Sequence, residues 1–122
     1  MKKYITFTLA FVALIFTSQA FAQKAETVKL TQVEGAFEET ELMLEAGTYV
    51  FEVANDGVDH EVGFVIVPKG KTEMSDHIKE AYVQKMIADG QTSTSKEVTL
   101  AAGEYEYFCP MNPTPHYTLV VK

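Results

Sequence analysis

The sequence predicts an all-β protein, a sandwich or barrel of short strands, with one helical segment inserted. Two observations carry the β prediction. Beyond residue 26 the chain runs in short stretches rich in β-branched and aromatic residues, and Gly, Pro and Asn-Asp-Gly signals break it at close intervals. A third observation carries the insertion: from Thr72 to Asp89 the apolar spacing changes to a helical one.

The elements follow in order. Thr27 to Val33 alternates loosely and reads as a first strand, and Glu41 to Glu45 as a second. After a turn at Ala46-Gly47, Thr48 to Ala54 is a strand rich in Val, Tyr, Phe and Thr. Asn55-Asp56-Gly57 ends it with residues suited to positive φ. Val62 to Val67 is almost continuously apolar, as a strand covered on both faces requires, and Pro68 stops it. Between Thr72 and Gly90, Met74, Ile78, Ala81, Tyr82 and Met86 fall close to helical spacing. Thr72 or Ser75 would cap the start and Gly90 the end, which predicts an amphipathic helix laid on the sandwich. Met74 and Met86 are then helix-to-sheet packing. Thr94 to Leu100 and Glu104 to Cys109 are strands joined at Ala102-Gly103, and Tyr117 to Val121 closes the chain. In the strand before the cysteine, Tyr105, Tyr107 and Cys109 share one face and Glu104 and Glu106 the other.

The first residues are a leader, not fold. Lys2 and Lys3 precede an apolar run from Tyr4 to Phe16, and Ala20-Phe21-Ala22 is a small-x-small cleavage pattern. Residues 1–22 therefore read as a signal peptide and 23–122 as one exported domain, periplasmic or secreted. The ten basic residues, two of them in the leader, include no arginine and face 17 acidic ones, for a formal charge of −7. Nucleic acid is excluded as a partner on that balance. A basic redox partner protein suits it, with the domain itself a monomer. Glu38, Glu39, Glu41 and Glu45 form an acidic patch that reads as a solvated face or as the docking surface for such a partner.

Export makes the single cysteine informative, since a lone thiol cannot pair within its own chain. It is an inert buried thiol, an intermolecular disulfide, a reactive group or a metal ligand. Cys109 opens "FCPMNPTPHY", a loop with three of the four prolines that closes on His116. A second histidine, His60, follows the Asn-Asp-Gly turn. Two imidazoles, one thiolate and a weak thioether or carbonyl form the ligand set of a type 1 copper site. Strand ends at these three places can converge at one end of a sandwich. Zinc also takes Cys and His ligands, so residue types alone do not select the metal.

These residues carry a family resemblance. "VFEVANDGVDHEVGFVIV" resembles the segment around the first histidine ligand of the cupredoxins, and "GEYEYFCPMNPTPHYTLVVK" resembles their ligand loop and last strand. The likeness covers most of residues 32–122 and is weakest over 72–90. It implies a Greek-key β-sandwich, one mononuclear copper ion, and one-electron transfer between Cu(I) and Cu(II), with no enzymatic activity. It also implies His60, Cys109 and His116 as the strong ligands. The loop departs from the pattern, because six residues separate Cys109 from His116 and no methionine follows the histidine. Three arrangements stay open. His116 is equatorial with the axial position empty or filled by a carbonyl; Met111 swings in as the axial ligand; or His116 takes the axial place, as in the red copper variant of the fold. A dinuclear purple centre needs two cysteines and is excluded.

Each residue also has a plainer reading. Cys109 is a small buried hydrophobe, His60 a surface turn residue, His116 a strand start, and Met111 loop packing. His77, with Glu73, Asp76 and Glu80, is a solvated helix face rather than a minor metal site. Pro110, Pro113 and Pro115 stiffen the loop by fixing φ. Beside the electron carrier stand two rivals: a copper chaperone or storage module with the same ligands, and an open-site copper enzyme or sensor.

Overall fold

The computed structural model describes residues 24–122. The leader lies outside the described residues, and no described helix is long and apolar enough to cross a membrane. Nine strands follow one another: β1 Glu26–Val33, β2 Ala36–Phe37, β3 Glu41–Leu44, β4 Gly47–Asn55, β5 Val65–Pro68, β6 Thr92–Thr94, β7 Val98–Leu100, β8 Gly103–Phe108 and β9 Tyr117–Val121. They form two sheets. One has the order β2-β1-β4-β6, with β7 also pairing β4; the other has the order β3-β9-β8-β5. β1 runs parallel to β4 and β3 parallel to β9. The chain changes sheet after β2, β3, β4, β5 and β7. Only β8 and β9 follow one another as antiparallel neighbours in the second sheet, so the loop from Cys109 to His116 joins two paired strands, while Asn55 ends β4 in the facing sheet.

Alternation sorts the residues as period 2 demands. β4 buries Tyr49, Phe51, Val53 and Asn55 while intervening residues are half-covered. Phe51 and Val53 meet Phe37, Phe64, Ile66, Tyr107 and Leu119 in one core between the sheets. Edge-on aromatic contacts tie it together: Phe37 lies 5.4 Å from Tyr107 at 88° and 5.8 Å from Tyr117 at 80°. A smaller cluster of Val65, Val67 and Phe108, covered by Tyr82, lies on the outer face of the β3-β9-β8-β5 sheet. Adjacent residues of one strand, such as Phe108 and Cys109, thus belong to opposite faces.

Tyr107 is fully buried, and its hydroxyl donates to the Glu39 carbonyl at 2.7 Å. Burial, then the charges of Glu39, Tyr117 and Glu41, push its phenol above the ordinary tyrosine range. A group whose pKa is raised on folding contributes stability below its unfolded pKa and loses it as pH climbs toward the folded value. Alkaline titration from the ordinary tyrosine pKa upward is expected to destabilise the protein. Tyr107→Phe should remove that component at a cost of about 1 kcal/mol at neutral pH, read by denaturant unfolding against pH. An unchanged alkaline limb in the variant would count against it.

The inserted helix is not there. Residues 72–90 contain two single 3-10 turns, Met74–Asp76 and Lys79–Ala81, and then bends with isolated bridges at Val83 and Ile87. The buried residues are Ala81, Val83 and Ile87, while Met74 is 76% and Met86 36% exposed, which inverts the packing expected of the two methionines. The backbone bonds explain why. Ile78 N–H donates to the Ile66 carbonyl, Gln84 N–H to Thr94, and Val62 and Ile87 exchange both of theirs. Unpaired edges of β5 and β6 offer these partners, and Ser75, Asp76 and the β-branched Ile78 and Val83 are weak helix formers. Edge pairing therefore won over helical propensity. The predicted strand Thr94 to Leu100 divides into β6 and β7 around Ser95, whose hydroxyl accepts from Phe51 N–H and donates to the Lys96 carbonyl. The apolar run from Val62 becomes strand only at Val65; before that, Val62 forms an isolated bridge to Ile87.

Candidate metal centre around Cys109

Cys109 is free, 4% exposed, and part of the main core. Its sulfur accepts three backbone N–H groups: Asn112 at 3.2 Å, and Gly63 and Met111 at 3.4 Å each. Two of the donors come from its own loop and one from the opposite segment, so the sulfur joins the two stretches that the sequence singled out. The Cys109 N–H donates to the Thr114 hydroxyl at 3.1 Å, closing the loop on itself.

A buried amide holds that loop in place. Asn112 is 1% exposed. Its Nδ2 donates to Gln32 Oε1 at 3.1 Å and to the Val33 carbonyl at 2.9 Å, and its Oδ1 accepts from Gly35 N–H at 2.8 Å. Gln32, fully buried, passes the link on by donating to the Gly63 carbonyl at 2.6 Å. Gly63 thereby bonds Gln32 through its carbonyl and Cys109 through its amide. On the far side, buried Asn55 shares its Nδ2 among the carbonyls of Val58, His60 and Ile87 and accepts from Val58 N–H, which shapes the turn leading to His60. No described buried side-chain nitrogen or oxygen lacks a partner. The sequence reading used Asn55 only as a turn residue and passed over Gln32, Gly63 and Asn112. The Asn-Pro pair within a proline-rich loop was the available signal for Asn112.

The histidines stand elsewhere. The His116 ring stacks on Phe108, 4.0 Å between centroids and 5° from parallel, and its Nδ1 lies 3.3 Å from Glu106 Oε1. Phe108 packs on the outer face of the sheet and the Cys109 thiol in the inner core, so strand parity separates this ring from the sulfur. His60 is exposed, with Nδ1 3.0 Å from the Glu61 carbonyl oxygen. The residue just before the thiol's amide donor Gly63 is the fully buried Val62. Met111 meets the sulfur through its amide, while its side chain is 44% exposed. Among the described residues no three His, Cys, Asp or Glu side chains are grouped to hold a metal ion. The structure thus brings Cys109 and the Met111 amide together, and does not bring His60 and His116 into one ligand set with them. The thiol suits a metal thiolate, since N–H donors are the partners a coordinated sulfur takes.

The domain is a two-sheet β-sandwich with a lone thiol opening the loop between its last two strands. The cupredoxin-like domain matches residues 6–121, and the chain belongs to that family. A search of curated proteins finds no match. Among solved structures, auracyanin A, a "blue" copper protein from Chloroflexus aurantiacus, is similar at 20% identity over 81% of this chain and 100% of its own, with a TM-score of 0.66. Amicyanin from Paracoccus versutus is similar at 18% identity over 81% of this chain and 84% of its own, with a TM-score of 0.54. An azurin from Methylomonas sp. strain J is similar at 12% identity over 81% of this chain and 99% of its own, also at 0.54.

Proposed function

We propose that the protein is an exported copper-binding carrier of the cupredoxin family, with Cys109 as its sulfur ligand, and that it holds copper chiefly as Cu(I). One observation carries this reading: the sulfur is the acceptor of three N–H groups at the end of β8. A thiol serving only as a small hydrophobe has no need of such donors. A thiolate bound to a metal does, because hydrogen bonds stabilise the charge left on its sulfur. The thiolate is itself a soft donor, with no described carboxylate or imidazole grouped beside it, and soft ligands in low number suit Cu(I). Cys109 would supply the ligand, and Gly63, Met111 and Asn112 would hold its orientation. Export rests on the leader pattern of residues 1–22.

Electron carriage is the second reading, and family membership favours it. It requires His60 and His116 to turn toward the sulfur, and His116 would have to leave both Phe108 and Glu106.

The test is to titrate the purified, reduced protein with Cu(I) against a chromophoric chelator, and separately to record the visible spectrum with Cu(II). Cysteine-dependent Cu(I) binding that is lost in Cys109→Ala, without intense thiolate-to-copper absorption for Cu(II), is the expected result. Intense visible absorption lost in His116→Ala would establish the electron carrier instead. Equal Cu(I) retention by wild type and Cys109→Ala would remove Cys109 from either role.

A further inference from the structure

The large apolar side chains that the described residues leave exposed are all methionines: Met43, Met74, Met86 and Met111. Leucine, isoleucine and phenylalanine are spent on the interior, so thioethers alone stand out in water. Three of the four line one cavity of about 340 Å³ on the outer side of the domain, and His77 lines it too. The helix that would have packed Met74 and Met86 against the sheet is absent, so core packing does not account for their placement.

Two details show a built wall. Gly63, whose φ is not in the left-handed region, sits where a Cβ would lie 3.0 Å from Met86 Cε and 3.8 Å from Met86 Sδ. Glycine is there for room, and the room is filled by this thioether. His77 has one nitrogen engaged, its Nδ1 lying 2.7 Å from the Tyr82 hydroxyl, with the ring edge-on to Tyr82 and to Phe108. A ring fixed through Nδ1 offers Nε2 to a metal, the arrangement that orients histidine ligands.

We propose that Met74, Met86, Met111 and His77 form a binding site for a soft monovalent metal ion, Cu(I) or its analogue Ag(I), separate from the Cys109 sulfur. Neutral thioethers and an imidazole select for polarizable ions of low charge. In a mostly apolar cavity a monovalent ion loses less hydration energy than a divalent one, which disfavours Zn(II) and Cu(II) there. The acidic surface, net −7 over the chain, attracts the cation toward it. The site stands independently of the reading of Cys109 as ligand.

The experiment uses the mature-length protein with ¹³C-methyl-labelled methionine, titrated with Ag(I), which does not oxidise thiols or change valence. The methyl resonances of Met74, Met86 and Met111 are expected to shift together while that of Met43 stays still. The Met74→Leu/Met86→Leu/Met111→Leu variant keeps the apolar volume and is expected to lose one equivalent of bound Ag(I). Cys109→Ser is expected to keep the methyl shifts, whether or not it loses an equivalent at the thiol. His77→Phe should weaken the methionine-site affinity at least tenfold. Full Ag(I) stoichiometry and affinity in the leucine variant would overturn the site, as would methyl resonances that do not move. Loss of the methyl shifts in a folded Cys109→Ser protein would also overturn it, by showing one shared site.

Discussion

Asn112→Ala is expected to lower stability by about 3 kcal/mol, and the melting temperature by roughly 10–20 °C, a large effect for a polar residue in a loop. The amide satisfies Gly35 N–H, Gln32 Oε1 and the Val33 carbonyl at once; the Gln32 contact is buried and the other two are partly so. Removing it leaves buried polar groups unpaired, which costs more than the lost bonds were worth. Asn112→Asp separates this account from simple loss of volume. An ionised carboxylate at that place would set oxygen against Gln32 Oε1 and the Val33 carbonyl, so the aspartate variant should be worse than alanine at neutral pH. Part of its loss should return as pH falls and the carboxyl gains a proton. Denaturant unfolding at two pH values reads both outcomes. The same substitutions should expose the thiol, because Asn112 N–H is its shortest contact. Reaction of Cys109 with a thiol reagent in the native protein should be slow in wild type and at least tenfold faster in Asn112→Ala. Equal labelling rates would show that the loop is not held by this amide.

What the sequence made legible divides along physical lines. Strand positions came through because period-2 burial is written in local composition: β4 and β9 need nothing beyond their own residues to be recognised. The 72–90 segment did not, because Met74, Ile78, Ala81 and Tyr82 have helical spacing but the choice was made by open strand edges far along the chain. The site was half legible. Cys109 was visible as a lone thiol at a strand end, and its face was read correctly from parity with Tyr105 and Tyr107. Applied to His116, the same parity argument was out of reach, since a ring beyond a six-residue loop can turn to either face. It turned to Phe108 and Glu106, where stacking and a carboxylate partner for its Nδ1 were on offer. Gln32 and Asn112 were missed for a different reason. A buried amide network joins residues 80 apart and leaves no periodic trace in the sequence.

The order of stability among substitutions at Cys109 is expected to be wild type, then serine, then alanine and valine. That order follows from treating the sulfur as an acceptor rather than as a packed hydrophobe. If position 109 were merely apolar, valine would be best tolerated, and serine would be worst because it buries a hydroxyl among carbon atoms. Three N–H groups aimed at the sulfur reverse that ranking. Alanine strands the donors of Gly63, Met111 and Asn112 together and also leaves a void where the sulfur was, a combined cost of about 3 kcal/mol. Serine keeps an acceptor on a shorter bond, so it recovers part of that, about 1 kcal/mol, while the donors close some of the distance. Valine fills the void but accepts nothing, and its second methyl meets the amides that faced the sulfur. Chemical denaturation of the metal-free variants measures the ranking without any copper, so the outcome bears on the position itself. Serine falling below valine would return Cys109 to the ordinary core and with it withdraw the feature on which the proposed metal-binding role of this end of the sandwich rests.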